Sequence, residues 1–481
     1  MKSYENNRKG LESMNAKATY QTGNNPEMDA WLTAFFIENH LDYFTHPDQA
    51  ATPEQTRFMV YIEEGERYYP CSDRMFAAIM SRKQSAFIQE NYKEVLQRIL
   101  ELIDRQIENK REKQYLEALI KTKYKHETRD EIMIPSRLEK RLMQIFLNRT
   151  LIEDPYIFEK ALRNRRASKA LNSEAYYQAI NHVDSSDLAD PPPTLTEIKE
   201  LVEHLELKRL FSLSVESSLW ESDKALSYKK NDYLRLFNRP MTGNGVKPLF
   251  HFLGISGKDQ SAKGARTKKI LWLANEAGEV MVDCAIIRYL VKLGHKIIIA
   301  FKEGPLFTKV DFYDAKEDEF LRAELENTLW INEKNLNKNE LINVLRRNNN
   351  ITAISDGTRE NLNLLLTSTT FARIFKEVDG IISKGNDQWR RLFDTHFQFT
   401  QDIFNISEGN QESLLISYKP RHPSIIKYSY EDLEKKARII IDQMQAAKNR
   451  GMTVIFYSAI IGSIPGKIQM AKKILSDFIE F

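Results

Sequence analysis

The chain has 481 residues, more than a domain with a single compact core usually contains. This length favours two domains, or one domain with a large appended lobe. Its 70 basic and 67 acidic residues nearly cancel, so no overall positive field exists to bind nucleic acid. Two cysteines, Cys71 and Cys284, are too few for a disulfide framework or a four-cysteine zinc site.

We expect a cytoplasmic protein without a membrane partner. The N-terminal sequence MKSYENNRKG lacks the apolar core of a signal peptide, and the longest apolar run, residues 454–464, is too short to cross a bilayer. The low cysteine content fits a reducing compartment. The sequence leaves the oligomeric state open.

Residues 1–190 are predicted to form a helical lobe. Segments 92–109, 113–124 and 135–150 carry apolar residues at spacings of three and four, with charged residues on the opposite faces. The turn-forming sequence DSSDLADPPP, residues 184–193, is expected to end the lobe, because three consecutive prolines cannot continue a helix.

Residues 191–268 are predicted to connect the lobe to the rest of the chain. A helix is expected over residues 194–210. The polar, glycine-bearing stretch 238–267 shows little regular periodicity, so we predict a long loop or lid there.

Residues 269–481 are predicted to form an α/β domain, because short apolar runs alternate with longer amphipathic segments. The runs that indicate strands are residues 269–274, 296–301, 351–354, 380–383, 414–418 and 453–457. The segments that indicate helices are residues 278–293, 362–376, 387–397, 431–449 and 467–479. Strands separated by helices pair in parallel, so the prediction is a Rossmann-like, mostly parallel sheet flanked by helices. Its ligand crevice should lie at the carboxyl ends of the strands.

The turn after the first predicted strand carries the most informative polar residues. Asn275, Glu276 and Glu279 lie there, and Gly278 allows a close backbone approach. These oxygens suit a cation or phosphate site. An alternative at least as well supported by the spacing is that Glu276 and Glu279 only complement the positive end of the helix dipole. The turn lacks the G-x-G-x-x-G pattern, which argues against an ordinary dinucleotide site.

Two further loops follow predicted strands, at residues 302–315 and 383–392. The second contains Lys384, Arg390 and Arg391, which are suited to binding phosphate but which face solvent as often as they bind a ligand. Position alone therefore does not decide the role of these cations.

Taken in order, these loops resemble the damage-control phosphatase family, including its acidic residue methyltransferase-like branch. Residues 275–279 are similar to the family's D-N-x-G-E turn, residues 305–315 to its P-x-x-N-D-V-T-x-x-D-A segment, and residues 384–392 to its K-G-D-L-N-Y-R-K-L segment. Weaker similarities cover residues 154–164 and Lys419. The resemblance implies a helical lobe, an α/β domain and phosphatase activity on small phosphorylated metabolites.

The resemblance also implies a metal-assisted active site. It implies that Asn275, Glu276 and Glu279 are catalytic, and that Asn275 and Glu276 bind a divalent ion such as manganese, cobalt, nickel or magnesium. The residues expected to bind the substrate are Lys309, Lys384, Asn386, Asp387, Gln388, Arg390 and Lys419, of which Lys309 does not come from the family pattern.

Lys309 departs from the family pattern, because it stands where the family carries its third metal ligand, an aspartate. An ammonium about 4 Å from a divalent ion would be repelled by roughly 8 kcal/mol at an effective dielectric constant of about 20. Asp311 is taken as the substitute metal ligand, with Asp314 as the alternative, unless both aspartates only cap the next helix. A further possibility is that Lys309 replaces the metal, so that no cofactor is bound.

Three functions follow as alternatives. The first is a divergent metal-dependent phosphohydrolase acting on a small phosphorylated metabolite such as a sugar phosphate. The second is a catalytically inactive pseudo-enzyme that binds such a metabolite through the same crevice. The third, a methyltransferase, depends only on the name of the family branch and on the parallel α/β domain.

Overall fold

A computed structural model of the protein describes residues 22–183, 194–255, 267–427 and 430–454. Contacts between residues divide the chain into two units, with the first ending at Pro420 and the second beginning at Arg421. All predicted site residues belong to the first unit.

The predicted helical character of the N-terminal part is confirmed, whereas the predicted domain bounds stay a prediction. The helices of this part are α1 (Pro26–Glu38), α2 (Pro53–Met59), α3 (Asp73–Met80), α4 (Ala86–Gln106), α5 (Lys110–Glu127), α6 (Pro135–Thr150), α7 (Ile157–Leu171) and α8 (Glu174–Ile180). Side-chain caps define several starts; Asn109, for example, accepts hydrogen bonds from the backbone N–H groups of Arg111 and Glu112 at the start of α5. A short strand, β1 (Val60–Tyr61), pairs with β8 (Gln398–Phe399) and ties the lobe to the later part of the chain.

The segment after the lobe contains α9 (Leu195–Leu213), α10 (Lys230–Phe237), β2 (Met241–Thr242) and α11 (Val246–Phe252). The prediction of a long loop over residues 238–267 is therefore wrong for residues 241–252, and residues 256–266 lie outside the described part. The reason is tertiary packing: Leu249 and Phe250 of α11 are buried, and β2 pairs in parallel with a later strand.

The predicted mostly parallel sheet is also confirmed. Its strands are β2, β3 (Lys269–Leu273), β4 (Lys296–Phe301), β5 (Leu329–Ile331), β6 (Ile351–Ser355), β7 (Gly380–Lys384), β9 (Asp402–Glu408) and β10 (Leu414–Lys419). They lie in the order β2-β10-β9-β7-β3-β4-β6-β5, and among these described strands only β9 and β10 pair antiparallel. The connecting helices are α12 (Glu279–Lys292), α13 (Asp314–Glu317), α14 (Glu319–Glu324), α15 (Lys338–Arg346), α16 (Thr369–Glu377) and α17 (Gly385–Leu392).

Both faces of the sheet are buried, as expected for parallel strands. Leu271 and Leu273 of β3 belong to one apolar cluster, which also contains residues of α1 to α6. Ile270 and Trp272 belong to a second cluster on the other face, together with residues of α7 and α8. This alternation leaves the carboxyl ends of the strands as the accessible edge of the sheet.

The second unit contains the helix α18 (Tyr430–Asn449), which confirms the helix predicted there. The strand predicted at residues 453–457 and the helix predicted at 467–479 lie mainly or wholly outside the described residues. Among the helices that the structure describes, none combines the length and the apolarity that a membrane span requires.

Candidate functional site

The turn after β3 brings Asn275 and Glu276 to the edge of the sheet. Gly278, which precedes α12, has a φ of +83°, and a Cβ there would lie 2.2 Å from the Cβ of Trp220. Only glycine fits both the backbone angle and the space. The chain therefore turns directly from β3 into α12, leaving the two polar residues at the strand end.

The second predicted loop folds back onto this turn. The backbone N–H of Val310 donates to the carbonyl of Asn275 at 2.9 Å, and the N–H of Ala277 donates to the carbonyl of Thr308 at 2.8 Å. These two hydrogen bonds place Lys309, between Thr308 and Val310, against the end of β3.

Lys309 forms the centre of a cluster with Asn275, Glu276 and Asp387, which we call the Lys309 cluster. Its Nζ donates to Asn275 Oδ1 at 2.7 Å and to Glu276 Oε1 at 3.2 Å, and it lies 3.5 Å from Asp387 Oδ2. Burial alone would lower the pKa of Lys309, but Glu276 and Asp387 outweigh burial and raise it. The ammonium form therefore persists.

The third predicted segment closes the cluster. Gly385, at the start of α17, has a φ of +75°, and a Cβ there would lie 3.0 Å from Asn275 Nδ2. This close approach places Asp387, in the first turn of α17, beside Lys309. The segments that begin at Asn275, Pro305 and Lys384 therefore meet in one place.

A second lysine lies beneath the first, in a group that we call the Lys384 cluster. Lys384 Nζ lies 2.8 Å from Glu279 Oε1 and 2.9 Å from Asp283 Oδ1, and it donates to the carbonyl of Ser214 at 3.1 Å. These three acceptors match the three hydrogens of the ammonium group. Burial raises the pKa of Asp283 to about 6, against the opposing effect of Lys384.

Glu279 links the two clusters. Its Oε2 accepts a hydrogen bond from Asn275 Nδ2 at 2.8 Å, and its Oε1 pairs with Lys384. This arrangement orients Asn275 so that its Oδ1 faces Lys309. The geometry gives Glu279 and Lys384 positioning roles, and their predicted catalytic and substrate-binding roles stay predictions.

The other predicted residues of α17 differ in accessibility. Gln388 is buried. Its side chain donates to the carbonyl of Ala274 at 3.2 Å and accepts the backbone N–H of Lys384 at 3.0 Å, so it links the backbone after β3 to the backbone at the end of β7. Asn386 and Arg390 are exposed. The substrate-binding roles of all three side chains stay predictions.

Lys419, predicted to bind substrate, lies apart from the Lys309 cluster. Its Nζ donates to the carbonyls of Leu392 at 2.9 Å and Thr395 at 2.8 Å, which stabilises the end of α17. Burial lowers the pKa of Lys419 to about 8. Its substrate-binding role stays a prediction.

Asp311, predicted as a metal ligand beside Asn275 and Glu276, contacts other groups. Its Oδ1 accepts the N–H groups of Tyr313 and Asp314 just at the start of α13, and its Oδ2 lies 3.4 Å from Lys160 Nζ. Both the metal-ligand role of Asp311 and the helix-capping alternative stay predictions.

Asp154, Asp311 and Asp314 nevertheless form an acidic triad whose oxygens lie within 4.8 Å of one another. Lys160 Nζ contacts all three, at 2.5 Å from Asp154 and from Asp314. Burial and the nearby Asp311 raise the pKa of Asp314 to about 6, although Lys160 lowers it in part. The triad lines a cavity of about 1830 Å³ and surrounds an ammonium group.

The helical lobe supplies two residues near the Lys309 cluster that the sequence did not indicate. Arg98 Nη2, on α4, lies 2.9 Å from Glu139 Oε1, on α6. Burial raises the pKa of Glu139 to about 7, although Arg98 lowers it in part. One signal was present in the sequence: Glu139 interrupts the apolar stripe of α6, next to the buried Leu138 and Leu142.

Comparison with known proteins identifies the family. Residues 87–414, more than half of the chain, match the damage-control phosphatase ARMT1-like domain. A search of curated proteins gave no match. Among solved structures, the fold is similar to a crystal structure of a DUF89 family protein from Pyrococcus horikoshii, with 17% identity, 68% of this chain and 96% of that chain covered, and a TM-score of 0.47. On the strength of the domain match, the chain belongs to the ARMT1-like damage-control phosphatase family.

Proposed function

We propose that the protein binds a small phosphorylated metabolite at the carboxyl ends of the strands, with the ammonium of Lys309 in place of the divalent ion that this family typically uses. The observation that carries the proposal is the position of Lys309 Nζ, 2.7 Å from Asn275 Oδ1 and 3.2 Å from Glu276 Oε1. Family membership supplies the substrate class, since these phosphatases act on small phosphorylated metabolites.

The residues at the strand ends do not fit a resident divalent ion. The oxygens that the family resemblance implies for the ion, from Asn275 and Glu276, both accept hydrogen bonds from Lys309. An ammonium about 4 Å from a divalent ion costs roughly 8 kcal/mol at an effective dielectric constant of about 20, more than ordinary binding provides. We therefore infer a site that uses an organic cation.

The acidic triad of Asp154, Asp311 and Asp314 does not supply a better ion site. Its three carboxylates surround Lys160 Nζ, so an ammonium again occupies the space that they enclose. Both groups of oxygen ligands near the crevice thus already bind a lysine ammonium.

The charge around Asp387 favours an anionic ligand. Burial would raise the pKa of this carboxyl, but Lys309, then Arg390, Arg391 and Arg98, lower it. Four cations therefore act on one carboxylate that is 44% exposed. A phosphoryl group is the anion that such a group of cations recognises most strongly.

Lysine and arginine bind phosphate but cannot generate a metal-bound hydroxide, so we propose binding without metal-dependent turnover. The rival proposal is a metal-dependent phosphohydrolase acting on a sugar phosphate, which family membership favours. The methyltransferase alternative gains nothing from the described crevice, whose first turn is acidic.

Calorimetry on the purified full-length protein tests the proposal. We expect inorganic phosphate, a pentose phosphate or a hexose phosphate to bind in the presence of a chelator, with an affinity that Mn²⁺, Co²⁺, Ni²⁺ and Mg²⁺ leave unchanged. Phosphate release from these esters should stay at background. Release that increases on adding one of the ions would contradict the proposal and restore the metal-dependent alternative. We keep a cytoplasmic location as part of the proposal.

A further inference from the structure

Arg98 is held next to the Lys309 cluster by two neighbours on different parts of the chain. Its Nη2 pairs with Glu139 at 2.9 Å, and its Cζ lies 5.5 Å from the centre of the Phe307 ring. Phe307 belongs to the same loop as Lys309. The guanidinium is therefore positioned between a buried carboxylate and an aromatic face, although its side chain is 46% exposed.

This arrangement leaves most of the guanidinium available. Glu139 is 2% exposed and reaches one of the two terminal nitrogens, and no other described group bonds the guanidinium. A cavity of about 570 Å³ opens beside it, lined by Lys93, Glu94, Gln97, Arg98 and Glu101. The free donors of Arg98 can thus reach a molecule that enters from solvent.

Arg98 and Lys309 are both electrostatic neighbours of the Asp387 carboxylate. Both cations lower the pKa of the Asp387 carboxyl, with burial opposing them. Lys309 belongs to the loop after β4 and Arg98 to α4, so two distant parts of the chain direct positive charge at one half-exposed position.

We propose that Arg98 is a ligand-binding residue contributed by the helical lobe, and that it binds the phosphoryl oxygens of the metabolite while Glu139 and Phe307 hold it in place. This inference depends on the proposed function, because it requires a phosphorylated ligand at the Lys309 cluster. A guanidinium offers two parallel N–H donors that match two phosphoryl oxygens, whereas Lys309 offers a single charge.

Arg98→Ala tests the inference, and Arg105→Ala is a matched control. Arg105 lies on the same helix, is 52% exposed, pairs with Glu159 at 3.5 Å, and has its Cζ 5.2 Å from the Tyr156 ring. We expect Arg98→Ala to weaken binding of a pentose phosphate, measured by calorimetry, about 10- to 100-fold. The control should bind as the wild type does.

Arg98→Lys keeps the charge and removes the planar fork, so we expect an intermediate loss of about 3- to 10-fold. Thermal unfolding of each variant shows whether it is folded, and if Arg98→Ala does not fold, Arg98→Lys decides. Wild-type affinity in the folded Arg98 variant would overturn the inference and leave the proposed function intact. Failure of the wild type to bind any of the phosphates would overturn the proposed function itself.

Discussion

Two lysines lie in the same crevice, and their surroundings differ mainly in access to water. In the Lys384 cluster, the side chains of Lys384, Glu279 and Asp283 are 0%, 8% and 1% exposed. In the Lys309 cluster, the lysine is 9% exposed, but Glu276 and Asp387 are 29% and 44% exposed. The Lys384 cluster is buried, whereas the carboxylates of the Lys309 cluster are partly exposed to solvent.

The difference in exposure indicates that one cluster has a structural role and the other can bind a ligand. When a charged group and its ion-pair partners are all buried, water cannot replace a lost partner. Such a group therefore cannot give up a partner in exchange for a ligand. A half-exposed carboxylate such as Asp387 can leave its partner, since water then solvates it. The Lys384 cluster therefore supports the crevice, and the Lys309 cluster can exchange Asp387 for a ligand.

The largest expected effect contrasts the two lysines directly. Lys384→Met should lower the free energy of unfolding by about 3–5 kcal/mol, because it leaves Glu279 and Asp283 as uncompensated buried charges. Lys309→Met should lower it by only about 1–2 kcal/mol, since water can reach Glu276 and Asp387. Urea denaturation of both variants measures the difference, and equal losses would remove the distinction between the clusters.

Restoring a carboxylate at position 309 should convert the open cluster into an ion site. Lys309→Asp removes the repelling charge and leaves oxygens from Asn275, Glu276, Asp387 and the new side chain, a set suited to Mn²⁺. We expect Mn²⁺ to bind at least about 100-fold more tightly than to the wild type, by calorimetry.

Lys309→Met is the control for this change, because it removes the charge without adding a ligand. It should bind Mn²⁺ more weakly than Lys309→Asp. Tight Mn²⁺ binding by the wild type would show that Lys309 does not replace the ion.

The fold was largely predictable from the sequence because β3, β4 and β7 are continuous apolar runs. Strand β9 was not predicted, since its sequence DIFNISE mixes polar residues into the run, and their burial depends on neighbouring strands. The helix α11 was missed because its short sequence gains its helical state from packing.

For the site, local sequence indicated the Asn275 turn, the loop at Lys309 and the start of α17, which do meet. It did not distinguish Lys384 from Lys309, because the burial of Lys384 depends on Ser214 and Asp283, which only the fold brings together. The Arg98–Glu139 pairing could not be inferred either, because its two residues lie on different helices of the lobe and only Glu139, within the apolar stripe of α6, left a signal in the sequence.

A smaller effect is expected from Asp387 itself. If a phosphoryl group takes the place of this carboxylate among the surrounding cations, Asp387→Asn should strengthen phosphate binding about 3- to 10-fold, because a like charge is removed. The control is Asp130→Asn, at a surface ion pair with Arg129 of the same 3.5 Å length. Weaker binding by Asp387→Asn would mean that the carboxylate contacts the ligand instead of giving way to it.

The smallest effect concerns a third ionic group, whose exposure lies between those of the two clusters. His396 pairs with Asp73 at 2.9 Å and Glu66 at 3.0 Å, and the three side chains are 18%, 34% and 18% exposed. Burial would lower the pKa of His396, but the two carboxylates outweigh it and raise the pKa from 6.5 to about 9.

Because the folded state holds the proton more tightly than the unfolded state, this stabilisation is complete below pH 6.5 and is lost as the pH rises through about 9. We expect the free energy of unfolding to fall by about 1–2 kcal/mol over that interval, and the fall to disappear in His396→Gln. His126→Gln is the control, since His126 is 79% exposed and should leave the pH dependence unchanged. Urea denaturation across this pH range provides the measurement. A slope that survives His396→Gln would show that another group, and not His396, causes the pH dependence.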